Sequence, residues 1–449
     1  MKKRLVSTIL STVLCVSLLA GCGADSSNET KEGTTAPSNE NSSAQTESSA
    51  GDTTKETASK EASGDKQQLT VWHYWVDEGQ LSTLDKVKKE FEEANPNTEV
   101  VYTYIPRDEL DKQYTMGAVS GELPDIMLED SCVAAAYIEM GICADITDYV
   151  NAWEDKDKIL EQPLAALSKD GRIYGLPQNT NCLAVFYDKD AFEEAGISQI
   201  PGNWDELMDV CGKLKEKFPD KYPFAFSAND NEEGTFQFLP FFLSTGATLD
   251  QFGSEEGVKA ITLWKDMVDK GYVPRDVVSW GQAEVNTQFE AGNVLMQLNG
   301  SWNVSNIRNN SPDKNWSVFL IPKDKEFAST LGGESFAITT ACKDMDLGWK
   351  YMQTLCSGEN EAVFAEASAN FSARTDANEY SDVWTTDEIL KVFNEAIPTA
   401  FARGPNARWT EISKEISGAI QAVLTNSKTP EAAMTDAQDK INEILNEGN

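Results

Sequence analysis

Apolar residues recur along this chain at two periods, and the alternation between them lays out its architecture. Leu69 to His73 alternates with period two and reads as a strand, after which Leu84, Val87 and Phe91 fall at helical spacing until Asn95-Pro96 stops the helix. Glu99 to Ile105 is a second strand, Glu109 to Val119 a helix, Asp125 to Leu128 a short buried strand, and Val133 to Met140 a helix ended by Gly141. Strand, helix, strand, helix, strand in that order predicts a parallel sheet with right-handed crossovers. Ligands sit beyond the carboxyl ends of such strands. Here those ends are Tyr74 and Trp75 after the first strand, and Glu129 and Asp130 after the third.

The stretch Gly171 to Phe192 changes the rhythm. Arg172 to Gly175 and Cys182 to Tyr187 read as strands, and Pro177, which lacks an amide proton, is expected to end the first ladder. Between them Gln178 to Asn181 offers short polar side chains that turn a chain or bond a polar ligand. A second α/β unit follows. Asn203 caps a helix to Lys217 with Glu206 at the capping-box position, Tyr222 to Ser227 is a strand, and Phe236 to Leu243 an apolar helix. Val258, Ile261, Trp264 and Val268 form one face of a helix from Ser254 to Lys270. Glu284 to Ala291 is helical, Val294 to Leu298 and Trp316 to Ile321 are strands, and Leu331 to Thr339 is extended. Helices at Asp344 to Leu355, Asp387 to Ala396, Arg408 to Val423 and Pro430 to Asn446 complete the chain.

The first residues are a separate object. Three basic residues (Lys2, Lys3, Arg4) precede an apolar run from Leu5 to Ala20, too short for a comfortable membrane span, so 1–21 reads as a secretory signal peptide. It ends in Leu19-Ala20-Gly21-Cys22, which resembles the bacterial lipobox and makes Cys22 the expected lipidation site. A diacylated cysteine carries the two chains that stable anchoring needs. From there to residue 66 the chain is Ser, Thr, Glu, Gly and Asn with almost no large apolar residue, the composition of a flexible tether. Its root-mean-square span is about 35 to 40 Å.

Charge and rare residues narrow the function. A formal charge of -35 excludes nucleic acid as a partner, because phosphates would be repelled. A single histidine, His73, leaves no second one for a zinc site and reads as a structural residue. Most of the usual enzyme repertoire is removed by this filter, and carboxylate-pair chemistry survives it. Of eight cysteines, six lie beyond the leader and Cys22: Cys132, Cys143, Cys182, Cys211, Cys342 and Cys356. None has C-x-x-C spacing, and a chain with a large core needs no staples, so most are expected as buried thiols with room for a bridge or two. No metal and no cofactor is expected.

Four passages carry a resemblance: FEEANPNTEV followed by GELPDIM; RIYGLP, FYDKDAFEEAG and NWDEL; FEAGNVLMQLNGSW; and LGGESFAI followed by a helix with Trp349. In this order and spacing the chain resembles the extracellular solute-binding proteins of ABC importers, in the large sugar-binding family that includes maltose-binding protein. The match runs from about Gln67 to the C-terminus. It implies a class II periplasmic-binding-protein-like fold, two α/β lobes of mostly parallel sheet flanked by helices, with the ligand in the cleft between them. Chain crossings are expected near Gln178 to Leu183, between Ile321 and Leu331, and after Phe371. One lobe is then 67–177 plus 323–374, the other 178–322 plus 375–449.

A sugar offers an apolar C–H face and a rim of hydroxyls, so its site needs aromatic platforms and short polar side chains. Tyr74 and Trp75 are expected to face the cleft with Asp77 and Glu78 just beyond, while Trp72 reads as core. Glu129 and Asp130 follow a buried strand; capping of the next helix is the competing role, and the family resemblance favours a carboxylate, Glu129, that accepts sugar hydroxyls. Asn179 and Asn181 are either turn formers or cleft residues. Trp280, in a loop before a helix, is a platform candidate. In NGSW, Asn299 joins the candidates and Trp302 either faces the cleft or forms a hydrophobic staple. In LGGES, Gly333 and Glu334 stand where backbone can approach a ligand. Arg403 matches a family arginine that can reach the ligand. Arg374 does not carry over, because Ser372 stands where many relatives have proline. The expectation is a monomeric lipoprotein on the outer face of a Gram-positive cytoplasmic membrane that captures a sugar, an oligosaccharide, by hinge closure and delivers it to an ABC permease. The rivals are another solute on the same fold (a polyol, glycerol phosphate or a peptide), a secreted glycosidase, and a structural or adhesive surface protein.

Overall fold

A computed structural model describes residues 66–403 and 406–447. The leader, Cys22 and nearly all of the expected tether therefore lie outside the described residues. Strands Thr98–Tyr104, Gln67–His73, Ile126–Asp130, Glu334–Ile338 and Leu176–Pro177 form a five-stranded sheet in that spatial order. The first three run parallel, and Glu334–Ile338 lies antiparallel to both its neighbours. Strand alternation divides its side chains between two cores. Ile126, Leu128, Phe336 and Ile338 enter one, closed by Leu84, Val87 and Phe91 of the helix Glu78–Ala94. Met127 and Ala337 enter the other, closed by Leu110 and Tyr114 of the helix Arg107–Ser120 and Tyr137 of the helix Ala134–Glu139.

A second sheet is antiparallel, with Leu183–Asp188 between Trp316–Phe319 and Met296–Gly300. The same alternation operates: Leu183 and Val185 face one core while Cys182, Ala184 and Phe186 face another. The amphipathic helix is observed at Glu255–Asp269, where the hydroxyl of Ser254 caps the Gly257 amide at 3.4 Å and Trp264 stacks on Phe226 with ring centroids 3.7 Å apart.

The observed elements depart from the expected ones at several places. Tyr222 to Ser227 makes only isolated bridges, Tyr222 to Val294 and Ala225 to Gln297, because Pro223 removes a ladder donor. Pro177 is the last residue of its ladder, opposite Ser335, and its missing donor is tolerated because its strand is the sheet edge. Gln178 to Asn181 is no simple turn: Asn179–Thr180 pairs with Phe371–Ser372, and Asn181 bridges Gly332. The extended run at 331–339 is broken at Gly333, whose φ of 141° only glycine adopts readily, into Ser329–Leu331, paired with Ala400–Ala402, and Glu334–Ile338. The helix Gly358–Ser368 lacks a one-sided stripe to announce it, since Asn360, Glu361, Ala362, Phe364 and Ala365 are all buried. The six described cysteines are free thiols, five of them buried, and no disulfide forms among the described residues.

Candidate functional site

Where the carboxyl ends of the parallel strands face the second sheet there is a cavity of about 340 Å³. On one side it is lined by Tyr74 and Asp77 after Gln67–His73, Arg107 at the start of its helix, Asp130 at the end of its strand, and Gly333 with Glu334. On the other side stand Glu232, Glu233 and Phe236 in the first turns of the helix Glu232–Ser244, Trp302, Asn303 and Asn306 at the start of the helix Asn303–Asn310, and Arg403 after Ala400–Ala402. Asn181 and Gly332 line it where the chain passes from one sheet to the other.

One line of contacts crosses this cavity. The Arg107 guanidinium lies 5.3 Å from the Tyr74 ring centre and pairs with Asp130. Asp130 Oδ1 also accepts from Arg403 at 3.1 Å, and Arg403 pairs with Glu232 at 2.5 Å. Arg403 then lies 4.3 Å over the ring of Phe236, whose own centre is 6.3 Å from that of Trp302. Burial pushes the Asp130 carboxyl up, but Arg403 and Arg107 outweigh it and hold the group below its ordinary value. Glu334 is pushed up by burial and by the charge of Asp130, and Asp77 is pushed up by burial. Tyr74 donates to Glu334 Oε1 at 3.3 Å, and Glu334 Oε2 has no partner among the described residues. Both arginines are therefore engaged by carboxylates. What faces the cavity is aromatic surface, hydroxyl-accepting carboxylates and amides, a set suited to a polyhydroxylated molecule.

A second chamber of about 310 Å³ adjoins the first, and Tyr74, Arg107, Asp130, Glu232 and Glu233 border both. Glu129 and Tyr137 lie on one wall, Ser413 and Lys414 on the other. Glu129 is 2% exposed, its Oε1 is 3.5 Å from the Ser335 hydroxyl, and its Oε2 has no partner among the described residues. Burial pushes its carboxyl up to about 8.

Of the residues expected at the site, Tyr74, Asp77, Asp130, Asn181, Trp302, Gly333, Glu334 and Arg403 line the first chamber and Glu129 the second. Asn179 is buried beside a separate cavity of about 210 Å³ next to Ser131 and Cys132. Trp75 requires a correction. It borders the cavity, but the side chain is 1% exposed, 5.5 Å from Phe336 and 4.7 Å from Phe364 between ring centres, and belongs to the core. Glu78 points to solvent in the first turn of its helix, favourable to the helix dipole and outside the cavity lining. Trp280 is no platform: it packs against the core of the second sheet, and its carbonyl accepts from Ser227 at 2.9 Å. Asn299 is fully buried, its amide donating to the Gln282 carbonyl and the Gln297 side chain, both at 3.0 Å. Arg374 is buried in ion pairs with Asp376 and Asp155, outside both chambers.

Arg107, Glu232, Glu233, Phe236 and Asn306 escape sequence reasoning. Acidic residues in a first helical turn have an ordinary role with the helix dipole, so Glu232 and Glu233 carry no separate signal. Arg107 acquires its role only when Asp130 folds against it. The Trp302 ring has a legible cue in Gly300, where a Cβ would come within 2.0 Å of that ring.

The family model of the bacterial extracellular solute-binding proteins matches residues 86–392. The chain belongs to this family. The binding protein is similar to a maltooligosaccharide ABC transporter solute-binding lipoprotein of Streptococcus pneumoniae, 22% identical over 87% of this chain and 92% of that one. It is also similar to the sn-glycerol-3-phosphate-binding periplasmic protein of Salmonella typhimurium, 24% identical over 84% and 92%. Among solved structures, an ABC transporter solute-binding protein of Thermotoga lettingae bound with alpha-D-tagatose superposes with a TM-score of 0.78 at 26% identity, covering 85% of this chain and 100% of that one. The fold of the binding protein is thus the two-lobed α/β fold of the sugar-binding proteins.

Proposed function

We propose that this binding protein captures a neutral sugar, an oligosaccharide, in the cleft and hands it to the membrane permease of an ABC importer. It works as a lipid-anchored monomer on the outer face of a Gram-positive cytoplasmic membrane, with Cys22 carrying the lipid. The observation that carries the ligand class is the state of the cations in the first chamber. Among the described residues Arg107 and Arg403 are its only basic lining residues, and both are paired with carboxylates, while Asp77, Glu233 and Glu334 add further acids. A phosphate would meet net negative charge there; a sugar hydroxyl meets acceptors, and its C–H face meets Tyr74, Phe236 and Trp302.

The ligand touches both lobes and so favours the closed arrangement by its differential affinity. The expected lobes are 67–177 plus 323–374 and 178–322 plus 375–449. The backbone bonds of Lys323 and Lys325 to Gly202 and Ser244, and the bond of Thr330 to the Phe236 carbonyl, favour moving the second boundary from 322–323 to Gly332. The role is capture without turnover, in keeping with relatives that are binding proteins.

A thermal-shift screen of neutral mono- and oligosaccharides against sn-glycerol 3-phosphate tests this reading. Ligand at a hundredfold excess over Kd adds about 2.7 kcal/mol of stability. A sugar is expected to raise Tm and glycerol phosphate to leave it unchanged. Stabilisation by the phosphate alone refutes the ligand class, and new reducing ends from an incubated oligosaccharide refute the absence of turnover.

A further inference from the structure

Glu129 is not an ordinary acceptor of sugar hydroxyls. It projects from the end of Ile126–Asp130 on the face that Met127 shares, toward the core that holds Tyr114, Tyr137 and Cys143. None of its neighbours neutralises it. On its own strand Asp130 is an acid; on the paired strand Ser335 offers one long hydrogen bond at 3.5 Å. On the flanking helices the Tyr114 hydroxyl is given to the Leu128 carbonyl and that of Tyr137 to Asp111. Arg107 and Arg403 pair with Asp130, and Lys414, with Glu232 and Glu233, stands on the walls beyond without an ion pair to Glu129 among the described residues. Across the chamber Ser413, 3% exposed, has a hydroxyl that is likewise without a partner. Two buried polar atoms from opposite walls, Glu129 Oε2 and the Ser413 hydroxyl oxygen, thus border one chamber of about 310 Å³ with no partner among the described residues. Native interiors satisfy such groups or present them to a ligand.

We infer that Glu129 meets the ligand as a neutral carboxylic acid, donating a hydrogen bond from Oε2 to an oxygen of a sugar unit seated in the second chamber, with Ser413 bonding the same unit from the far wall. This rests on the sugar reading above and adds to it a ligand requirement: the unit must present an acceptor oxygen, and a unit lacking oxygen there loses the contact. The protonated state accords with burial that raises the carboxyl to about 8. In the folded protein the donor is present below that value and is lost as pH rises through it, so affinity falls on the alkaline side.

The test is isothermal titration of the sugar found in the thermal-shift screen, from pH 6 to pH 9.5, on the wild type, Glu129→Gln and Ser413→Ala. Wild-type affinity is expected to be constant to about pH 7.5 and to fall roughly tenfold by pH 9.5, one pH unit of lost protonation being a factor of ten at most. Glu129→Gln keeps an N–H donor, so it is expected to bind within a few-fold of wild type at pH 6 and to show no alkaline loss. Ser413→Ala is expected to weaken binding several-fold and to keep the wild-type pH profile. A pH-independent wild type, or a Glu129→Gln profile that still falls, overturns the inference while leaving the sugar reading intact. Failure of every sugar to bind at pH 6 overturns both.

Discussion

Arg403 joins the strand Ile126–Asp130 to the helix Glu232–Ser244 across the cavity, and its removal can be followed quantitatively. Its side chain is 4% exposed and meets Asp130 at 3.1 Å and Glu232 at 2.5 Å, whose side chains are 14% and 24% exposed. Replacement with methionine keeps an unbranched apolar side chain and deletes the charge that lies over Phe236. Asp130 then keeps only Arg107, and Glu232 loses its one ion pair among the described residues. Breaking a buried pair by removing one partner costs about 3 to 5 kcal/mol, because the other charge stays buried. Partial exposure of Glu232 and the second arginine at Asp130 place the expected loss at the lower end, about 3 kcal/mol. Neutralising Asp130 as well removes a buried carboxylate that has lost one of its two cations, so Arg403→Met with Asp130→Asn should destabilise by less than the sum of the single changes, with a coupling of about 1 to 2 kcal/mol. Urea unfolding of the four proteins at pH 7 measures it. The sign with pH is fixed by Asp130, whose carboxyl is held below its ordinary value of 3.8. A depressed acid stabilises above its unfolded value and loses that contribution as pH falls through the folded one, so the coupling should shrink as pH is lowered below 3.8. Additive single changes at pH 7, or a coupling that grows as the protein is acidified, would refute the argument that these charges meet out of water.

Two further outcomes follow from the same geometry. Trp75→Ala should lower unfolding free energy by about 3 to 5 kcal/mol in chemical denaturation, the cost of a large cavity between Phe336 and Phe364, rather than reduce affinity alone; wild-type stability would return Trp75 to the cleft. Gly333→Ala should destabilise by more than 1 kcal/mol and weaken sugar binding, because its φ is 141° and a Cβ there would lie 2.2 Å from the Asn179 carbonyl; a neutral change in both readouts would show that this turn yields freely.

Helices were readable where a single face is buried. The span expected from Ser254 to Lys270 is observed as Glu255–Asp269, because its stripe and caps are local properties of the chain. The five-stranded sheet was readable in its first three strands, where strand and helix alternate, and not in its remainder, since the pairing of Glu334–Ile338 with a strand some two hundred residues earlier leaves no local trace. At the site, residues at strand ends were found by topology alone. That rule could not separate Tyr74 from Trp75: where the strand gives way to a loop, the period-two alternation that would sort cleft from core no longer holds. Trp280 looked exposed because it stands between helices, yet the chain folds its ring onto a core supplied by distant segments. The charged line from Arg107 to Arg403 joins three regions of sequence and exists only in the folded protein.

The short ladder between Asn179–Thr180 and Phe371–Ser372 joins two of the crossing segments to each other rather than to either large sheet. Segments bonded side by side cannot twist independently, so under the closure proposed above they act as a single strap with one axis. Opening is then a motion with one principal degree of freedom. A single pair of spectroscopic labels, one on each lip of the cleft, is enough to follow it, and the labelled distance should take two values, with and without sugar, and no continuum between them.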